Sequence, residues 1–256
     1  MKIAVITVAG TSSRFNVNEE KKSLKAIYHK DNPLQTLLFR QCHQCQNMDK
    51  IIIVGGYMYN RLSEYINNIL PKVIREKIIL LYNERYSDYT SGYSLYLGLQ
   101  AVFSLEQNEN MEILFMEGDL AVDNKSLSAV IAGENDVITY NREVIDSRKS
   151  VVVYESVNGS YHYAFNDTHG FLKIDDSFVR VWNSGQIWKF TNLNYLKTAS
   201  ELYAEEAISG TNLEIIQRYF DMVSPNDVCV LPIDFWVNCN TRKEWSFVFD
   251  ALNEVD

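Results

Sequence analysis

The sequence predicts a three-layer α/β/α protein with a mixed, mainly parallel sheet and a small aromatic-rich antiparallel extension. Three observations carry that reading. Short, unbroken runs of Ile, Val and Leu alternate with amphipathic segments through roughly the first 120 residues. The apolar runs do not alternate with polar residues, as half-exposed strands would, so both of their faces are buried. The second half changes character, to short runs rich in Tyr, Phe and Trp separated by Asn, Gly and Asp.

In chain order, residues 3–8 read as a buried first strand. Residues 34–46 read as a helix opened by Asn32-Pro33, with Leu34, Leu37, Leu38 and Cys42 on one face. Strands follow at 50–54 (closed by Gly55-Gly56), 77–82 and 112–116, with helices at 61–70 and 92–102 between them. Strand–helix alternation implies right-handed crossovers and a mainly parallel sheet. Ligands of such sheets bind beyond the C-terminal strand ends, which singles out the loop after Val8, the loop after Tyr82, and Asp119. Short strands are then expected at 151–154, 161–165, 170–174, 179–182 and 186–190, helices at 192–207 and 212–220, a return strand at 229–233 and a terminal helix from about 241. One domain over 1–256 is expected, with a first half at 1–120, an aromatic-rich covering segment at about 150–190, and a closing segment at 229–256.

The 256 residues and 46% hydrophobic content suffice for one substantial core. A net charge of −9 argues against a general nucleic-acid binder. An anionic substrate must therefore meet locally placed cations or a metal ion. No run is long and apolar enough to span a membrane. The apolar N-terminus leads into Thr-Ser-Ser-Arg without a cleavage signal, so a cytoplasmic location is expected. Cys42, Cys45, Cys229 and Cys239 read as reduced packing thiols, because Cys42-His43-Gln44-Cys45 has no second ligand pair at zinc-site spacing. His29, His43, His162 and His169 form no catalytic spacing.

After the first strand comes Ala9-Gly10-Thr11-Ser12-Ser13-Arg14-Phe15. Gly10 lets backbone approach a ligand closely. Thr11, Ser12 and Ser13 offer hydroxyl and backbone donors, and Arg14 can grip phosphate oxygens as a fork. The loop is neither a Walker A sequence nor a dinucleotide fingerprint, and by itself an ordinary strand-to-helix turn with a surface arginine explains it equally well. Lys21-Lys22-Ser23-Leu24-Lys25-Ala26-Ile27 follows.

Together these segments resemble the nucleoside triphosphate transferase superfamily, the sugar-phosphate and choline-phosphate nucleotidylyltransferases. Residues 9–15 match its Ala-Gly-x-[Gly/Ser]-[Ser/Thr]-Arg-[Phe/Leu] loop. Residues 22–27 match its Pro-Lys-x-Leu element, with Lys21 in place of the proline, and Asn32-Pro33-Leu34 fits its next helix start. Gly55-Gly56-Tyr57, Asn83 with Tyr86, Ser91-Gly92-Tyr93-Ser94-Leu95, Met116-Glu117-Gly118-Asp119, and the run from Asp234 through Asn238, Asn240 and Trp245 continue the likeness in order.

The resemblance implies a Rossmann-like fold and attack by an acceptor phosphate or phosphonate on the α-phosphorus of a nucleoside triphosphate, releasing pyrophosphate. It implies catalytic roles for Arg14 and Lys22. Nucleotide contacts are implied for Val8, Ala9, Gly10, Thr11, Ser12, Ser13, Asn83, Ser91, Gly92, Ser94 and Glu117. Mg²⁺ is implied at Asp119 and Asn240, with Asn238 where relatives often carry an acid. A helix N-cap is the plain alternative for Asp119 and for Asn240, and Lys21 and Lys25 read as solvated.

CTP is favoured over UTP or dTTP, because Asn-x-x-Tyr and Ser-Leu resemble the choline-phosphate branch. Tyr154, Tyr163 and Trp188, with Tyr161, Phe165 and Trp182, are candidates to line an acceptor site, since aromatic faces suit a cationic head group; packing into an antiparallel sheet is the alternative. Phosphocholine, aminoethylphosphonate and phospho-amino acids such as phosphoglutamine are the expected acceptors, the product serving surface polysaccharide or lipid decoration. A sugar-phosphate nucleotidylyltransferase, a nucleotide-sugar glycosyltransferase and an inactive nucleotide-binding protein are the competing readings.

Overall fold

A computed structural model describes residues 1–105, 111–165 and 171–255. Its elements run β1 (Lys2–Val8), α1 (Leu37–Gln44), β2 (Lys50–Gly55), α2 (Tyr59–Asn68), α3 (Lys72–Arg75), β3 (Ile78–Tyr82), α4 (Ser91–Ser104), β4 (Glu112–Glu117), β5 (Leu120–Val122), α5 (Asn124–Ala132) and β6 (Asp136–Asn141). There follow β7 (Val152–Ser156), β8 (Tyr161–Ala164), β9 (Phe178–Phe190), α6 (Leu193–Glu206), α7 (Asn212–Met222), β10 (Val228–Ile233), β11 (Trp236–Asn238) and α8 (Arg242–Val255).

The predicted fold class holds. Among the described residues the main sheet has nine strands, with the path β10-β6-β9-β4-β1-β2-β3 and the β7–β8 hairpin joined to β9. β1 pairs in parallel with β2 on one side and β4 on the other. β9 is antiparallel to both β4 and β6. A separate antiparallel pair joins β5 to β11.

Burial on both faces follows from the strand period of two. Ala4, Ile6, Ile51, Ile53, Leu114 and Met116 face one core with Leu38, Leu62 and Val130. Their neighbours Ile3, Val5, Ile52, Val54, Ile113 and Phe115 face a second core with Leu95, Leu99, Leu196 and Ile216. Apart from Ala4, each such side chain contributes about 1.5–3 kcal/mol on burial. A smaller cluster of Phe15, Leu37, Ala121, Cys239, Trp245 and Val248 binds the first loop to α8. All four cysteines are free thiols.

Several boundaries differ from expectation for physical reasons. α1 begins at Leu37 rather than 34, because the Thr36 hydroxyl caps it by accepting from Phe39 N at 3.0 Å. Asn32 instead closes a local turn through Leu34 N. Between 120 and 150 the sequence reading placed no elements, yet β5, α5 and β6 lie there. β5 is only three residues long and α5 is rich in Ser and Ala, so neither carries a strong apolar period.

The two strands expected at 179–182 and 186–190 are one strand, β9, running through Asn183-Ser184-Gly185. A bulge there puts Gln186 at φ +54°, and the Thr139 hydroxyl bridges both backbone groups of Ile187. Of the strand expected at 170–174, Gly170 lies outside the described residues, as does His169, and residues 171–174 form no regular element.

α4 lies unusually close to the sheet at Gly98, where an added Cβ would sit 2.6 Å from Val5 Cγ1. Gly98→Val should therefore lower unfolding stability by about 1–3 kcal/mol through overpacking, read as a lower urea midpoint. An unchanged midpoint would contradict this packing of α4 on β1.

Candidate functional site

The loop after β1 lies where the chain's crossovers diverge, with β2 on one side and β4 on the other. Its shape is set by local hydrogen bonds. Ser12 takes φ +55°. Asn16, buried, donates from Nδ2 to Ser12 O (2.9 Å) and Ser23 O (2.8 Å), and its Oδ1 accepts from Ser23 N (2.8 Å). The Ser12 hydroxyl accepts from Lys25 N at 3.2 Å. These bonds zip residues 12–16 to residues 23–25.

That zipper decides which lysine enters the site. Leu24 and Ala26 are buried in the core, whereas the Lys25 side chain reaches across to the end of β4. Its Nζ lies 2.5 Å from Asp119 Oδ2 and 3.2 Å from Asn240 Oδ1. The expectation that Lys25 is solvated is thus corrected: its side chain is 18% exposed. Lys22 instead donates to Asn16 O at 2.9 Å and closes the loop from outside.

Two cavities flank this junction. The first, of 290 Å³, is lined by Val8, Ala9, Gly10, Thr11, Ser12, Lys25, Asn83, Ser91, Ser94, Glu117 and Asp119, among others. Asn83 and Ser94 are buried and joined by a 2.9 Å hydrogen bond. Two predicted nucleotide residues lie elsewhere. Ser13 faces the outer side of the loop with Arg14. Gly92 packs against the 210–211 turn, where a Cβ would meet Gly210 O at 2.4 Å. It permits close approach of α4 rather than lining the cavity.

The second cavity, of 760 Å³, shares Glu117 and Asp119 with the first and adds Arg14, Glu143, Lys149, Asn183, Gln186, Trp236, Asn238 and Asn240. Tyr154, Tyr163 and Trp188, expected to line an acceptor site, line neither cavity. Trp188 stacks on Phe115 at 5.3 Å and donates from Nε1 to Tyr163 Oη at 2.6 Å, inside the second core. Tyr154 is buried and donates to Asp176 Oδ2. Tyr161, Phe165 and Trp182 pack against the same core. The strand period turns Tyr161, Tyr163 and Trp182 toward that core, and Asn183 of β9 to the other face, where it lines the cavity.

The capping alternatives are resolved by the residues that actually cap. Asp123, not Asp119, caps α5, accepting from Ser126 N at 2.7 Å. Thr241 caps α8, its hydroxyl accepting from Glu244 N, while Glu244 Oε2 accepts from Thr241 N at 2.7 Å and Asn240 N at 2.8 Å. Both Asp119 and Asn240 side chains are thereby free for other work. Asn238 does not join them: its Oδ1 accepts from Asn240 Nδ2 at 2.7 Å and its Nδ2 donates to Gln186 Oε1 at 3.2 Å. Its carbonyl oxygen is thus taken up by Asn240, and its amide by Gln186.

Electrostatics concentrate at the shared wall. Burial and the neighbouring Asp119 charge push the Glu117 carboxyl up to about 7, against the opposing pull of Asn212 and Lys25. Asn212 donates to Glu117 Oε1 at 2.7 Å and is itself held by Ser91. Asp119 Oδ1 is buried with no hydrogen-bond partner, an oxygen suited to a cation. With the Asn240 carbonyl it forms a hard oxygen donor pair, the chemistry Mg²⁺ takes. Among the described residues, no three His, Cys, Asp or Glu side chains converge to form a full metal cage.

Arg242 secures the arrangement from behind. Its guanidinium lies 3.5 Å from the Tyr28 ring centre and 4.4 Å from that of Phe15, and Nη2 donates to Ser23 Oγ at 3.2 Å. Sequence reasoning missed Lys25, Asn16, Gln186, Asn212 and Arg242. Only Lys25 had a legible signal, its place between two core residues.

Comparison with known proteins bears on the family and the fold. Residues 21–252 match the family described as "Domain of unknown function (DUF6564)", and the chain belongs to that family. It is 25% identical over 248 residues to a choline-phosphate cytidylyltransferase of Haemophilus influenzae, covering 87% of this chain and 98% of that one. Its fold is similar to the inositol-1-phosphate CTP transferase from T. maritima (TM-score 0.69, 15% identity, 100% and 96% covered). It is also similar in fold to the CTP:phosphocholine cytidylyltransferase from Streptococcus pneumoniae (TM-score 0.63, 15% identity, 98% and 99% covered). The resemblance to nucleotidyltransferases drawn from the sequence therefore holds for the fold.

Asp123 also ties α5 to the segment before β11, accepting from Phe235 N at 2.9 Å. Burial alone would raise its carboxyl, but these backbone bonds outweigh it and hold the value below the usual range. A depressed folded value stabilises fully above the unfolded carboxylate pKa of about 3.9 and is lost as pH falls through the folded value. Asp123→Asn should cost about 1.5–3 kcal/mol at pH 7 and lose less Tm than wild type between pH 5 and about 2.5. Parallel Tm–pH curves for the two proteins would contradict the role.

Proposed function

We propose that this DUF6564 protein is a nucleotidyltransferase that moves CMP from CTP to a small phosphorylated or phosphonate acceptor, releasing pyrophosphate. The observation that carries the reading is the pair of cavities meeting at Glu117 and Asp119 beneath one cation-bearing loop. A triphosphate on one side and an acceptor on the other would bring their reacting atoms together at that shared wall.

Both reactants are anionic, so positioning and charge neutralisation dominate the barrier. Backbone groups at Gly10–Ser13 and the Arg14 guanidinium suit the β- and γ-phosphates and the departing pyrophosphate. Lys25, rather than Lys22, is the ammonium within reach of the junction. An acceptor oxygen forms its bond to the α-phosphorus as the bond to the bridging pyrophosphate oxygen breaks. That oxygen is already ionised at neutral pH, so no general base is needed, and among the described residues no histidine lines either cavity. Asp119 and Asn240 would hold Mg²⁺, whose contribution when bound is to neutralise phosphate charge.

The Asn83–Ser94 pair at the floor of the first cavity supports a base-binding end. The likeness to CTP-using proteins favours cytosine. A product of the CDP-linked kind would serve decoration of a surface polysaccharide or lipid. For the acceptor, the expected phosphocholine, aminoethylphosphonate and phospho-amino acids stand beside a second reading, a sugar or polyol phosphate. The amides of Asn183, Gln186 and Asn238 favour it, because they pair with hydroxyls and the predicted aromatic cage lies in the core.

The test is pyrophosphate release from each nucleoside triphosphate with Mg²⁺ and a panel of these acceptors. CTP with one acceptor class should turn over. Arg14→Ala, Lys25→Ala and Asp119→Ala should each lose at least about 100-fold in turnover while remaining folded. Lys22→Ala should lose less than about tenfold, since it acts only through the loop. No release with any pair from folded protein would overturn the proposal.

A further inference from the structure

Lys25, Asp119 and Asn240 come from three segments far apart in the chain and meet through one ammonium. We propose that Lys25 is a built-in counter-ion that keeps the Asp119–Asn240 pair closed to divalent cations until an incoming triphosphate draws the ammonium away. The inference rests on the nucleotidyl-transfer reading only for the identity of the displacing ligand.

The geometry assigns the ammonium to the space a bridging cation would need. It contacts one oxygen of Asp119 and the carbonyl oxygen of Asn240, at 2.5 and 3.2 Å. Asn240 cannot turn its oxygen elsewhere without breaking the bond from its Nδ2 to Asn238, which Gln186 anchors in turn. One carboxylate and one ammonium leave this pair with no net charge. A divalent ion arriving alone would find a neutral pair and a repelling cation, in surroundings where the Lys25 and Asp119 side chains are only 18% and 15% exposed.

Removal of the block needs no backbone movement. Lys25 N is fixed to the Ser12 hydroxyl, and the side chain also borders the outer pocket of the loop formed by Gly10, Ser13 and Arg14. A phosphate there would offer the ammonium a second anion within a side-chain rotation. Asp119 would then present both oxygens, Oδ1 being unpartnered already. The divalent ion is thus recruited with the triphosphate rather than held beforehand.

The experiment is Mn²⁺ titration of the nucleotide-free full chain, with free Mn²⁺ read by electron paramagnetic resonance. Wild type should show no saturable Asp119-dependent site below about 1 mM. Lys25→Met, with Lys25→Gln as a second variant should the first fail to fold, should bind at least about tenfold tighter. Adding Asp119→Asn to either should abolish that gain, and Lys25→Arg should keep the site closed. Wild-type binding as tight as Lys25→Met, or a gain that survives Asp119→Asn, would overturn the inference. Because no nucleotide is present, this result is independent of the pyrophosphate assay, and failure of either reading is seen separately.

Discussion

One strand with parallel partners on both sides governs this molecule. β1 is flanked by β2 and β4, the first reached through α1 on one face of the sheet and the second through α4 on the other. A crevice opens there by topology, before any side chain is considered. The loop from Ala9 to Ser12, the end of β4 at Glu117–Asp119, and the N-terminus of α4 all border it. Each functional element is therefore delivered by a different crossover, and the two cores hold the crossovers in register.

Electrostatics supply the second constraint. The proposed reaction would have a chain of net charge −9 draw two anions together, which puts the weight on individually placed cations. Arg14 stands exposed at the rim, whereas Lys25 is drawn inward and neutralised by Asp119. Arg242 is sandwiched on Tyr28 and Phe15 and acts on structure, not on ligand. The amide chain Gln186–Asn238–Asn240 extends this order to the second cavity, with the strained backbone of Gln186 as its fixed end.

Much of this was legible in the residues. The unbroken Ile/Val runs located the parallel strands because double-sided burial leaves that pattern, and the small-residue loop after Val8 located the crevice. Asp119 was found because it follows a strand end. What escaped notice was what depends on tertiary partners. Lys22 matched a linear pattern, but the Asn16–Ser23 bonds and the burial of Leu24 and Ala26 hand the junction to Lys25. The aromatics of β8 and β9 looked like a binding surface, yet the sheet's own period turned them into the core, a choice that composition cannot reveal. β9 read as two strands because Asn183-Ser184-Gly185 has turn chemistry, which the Thr139 bridge overrides.

The central claim is that the crevice beyond β1 is a triphosphate site adjoining an acceptor site across Glu117 and Asp119. A crystal structure of the protein with CTP and Mg²⁺ tests it most directly. The account predicts phosphates against Gly10–Arg14, the base toward Asn83 and Ser94, the α-phosphate at the wall shared with the second cavity, and Lys25 moved from Asp119 onto a phosphate oxygen. A nucleotide bound elsewhere, or bound there with its α-phosphate turned away from Asp119, would contradict it.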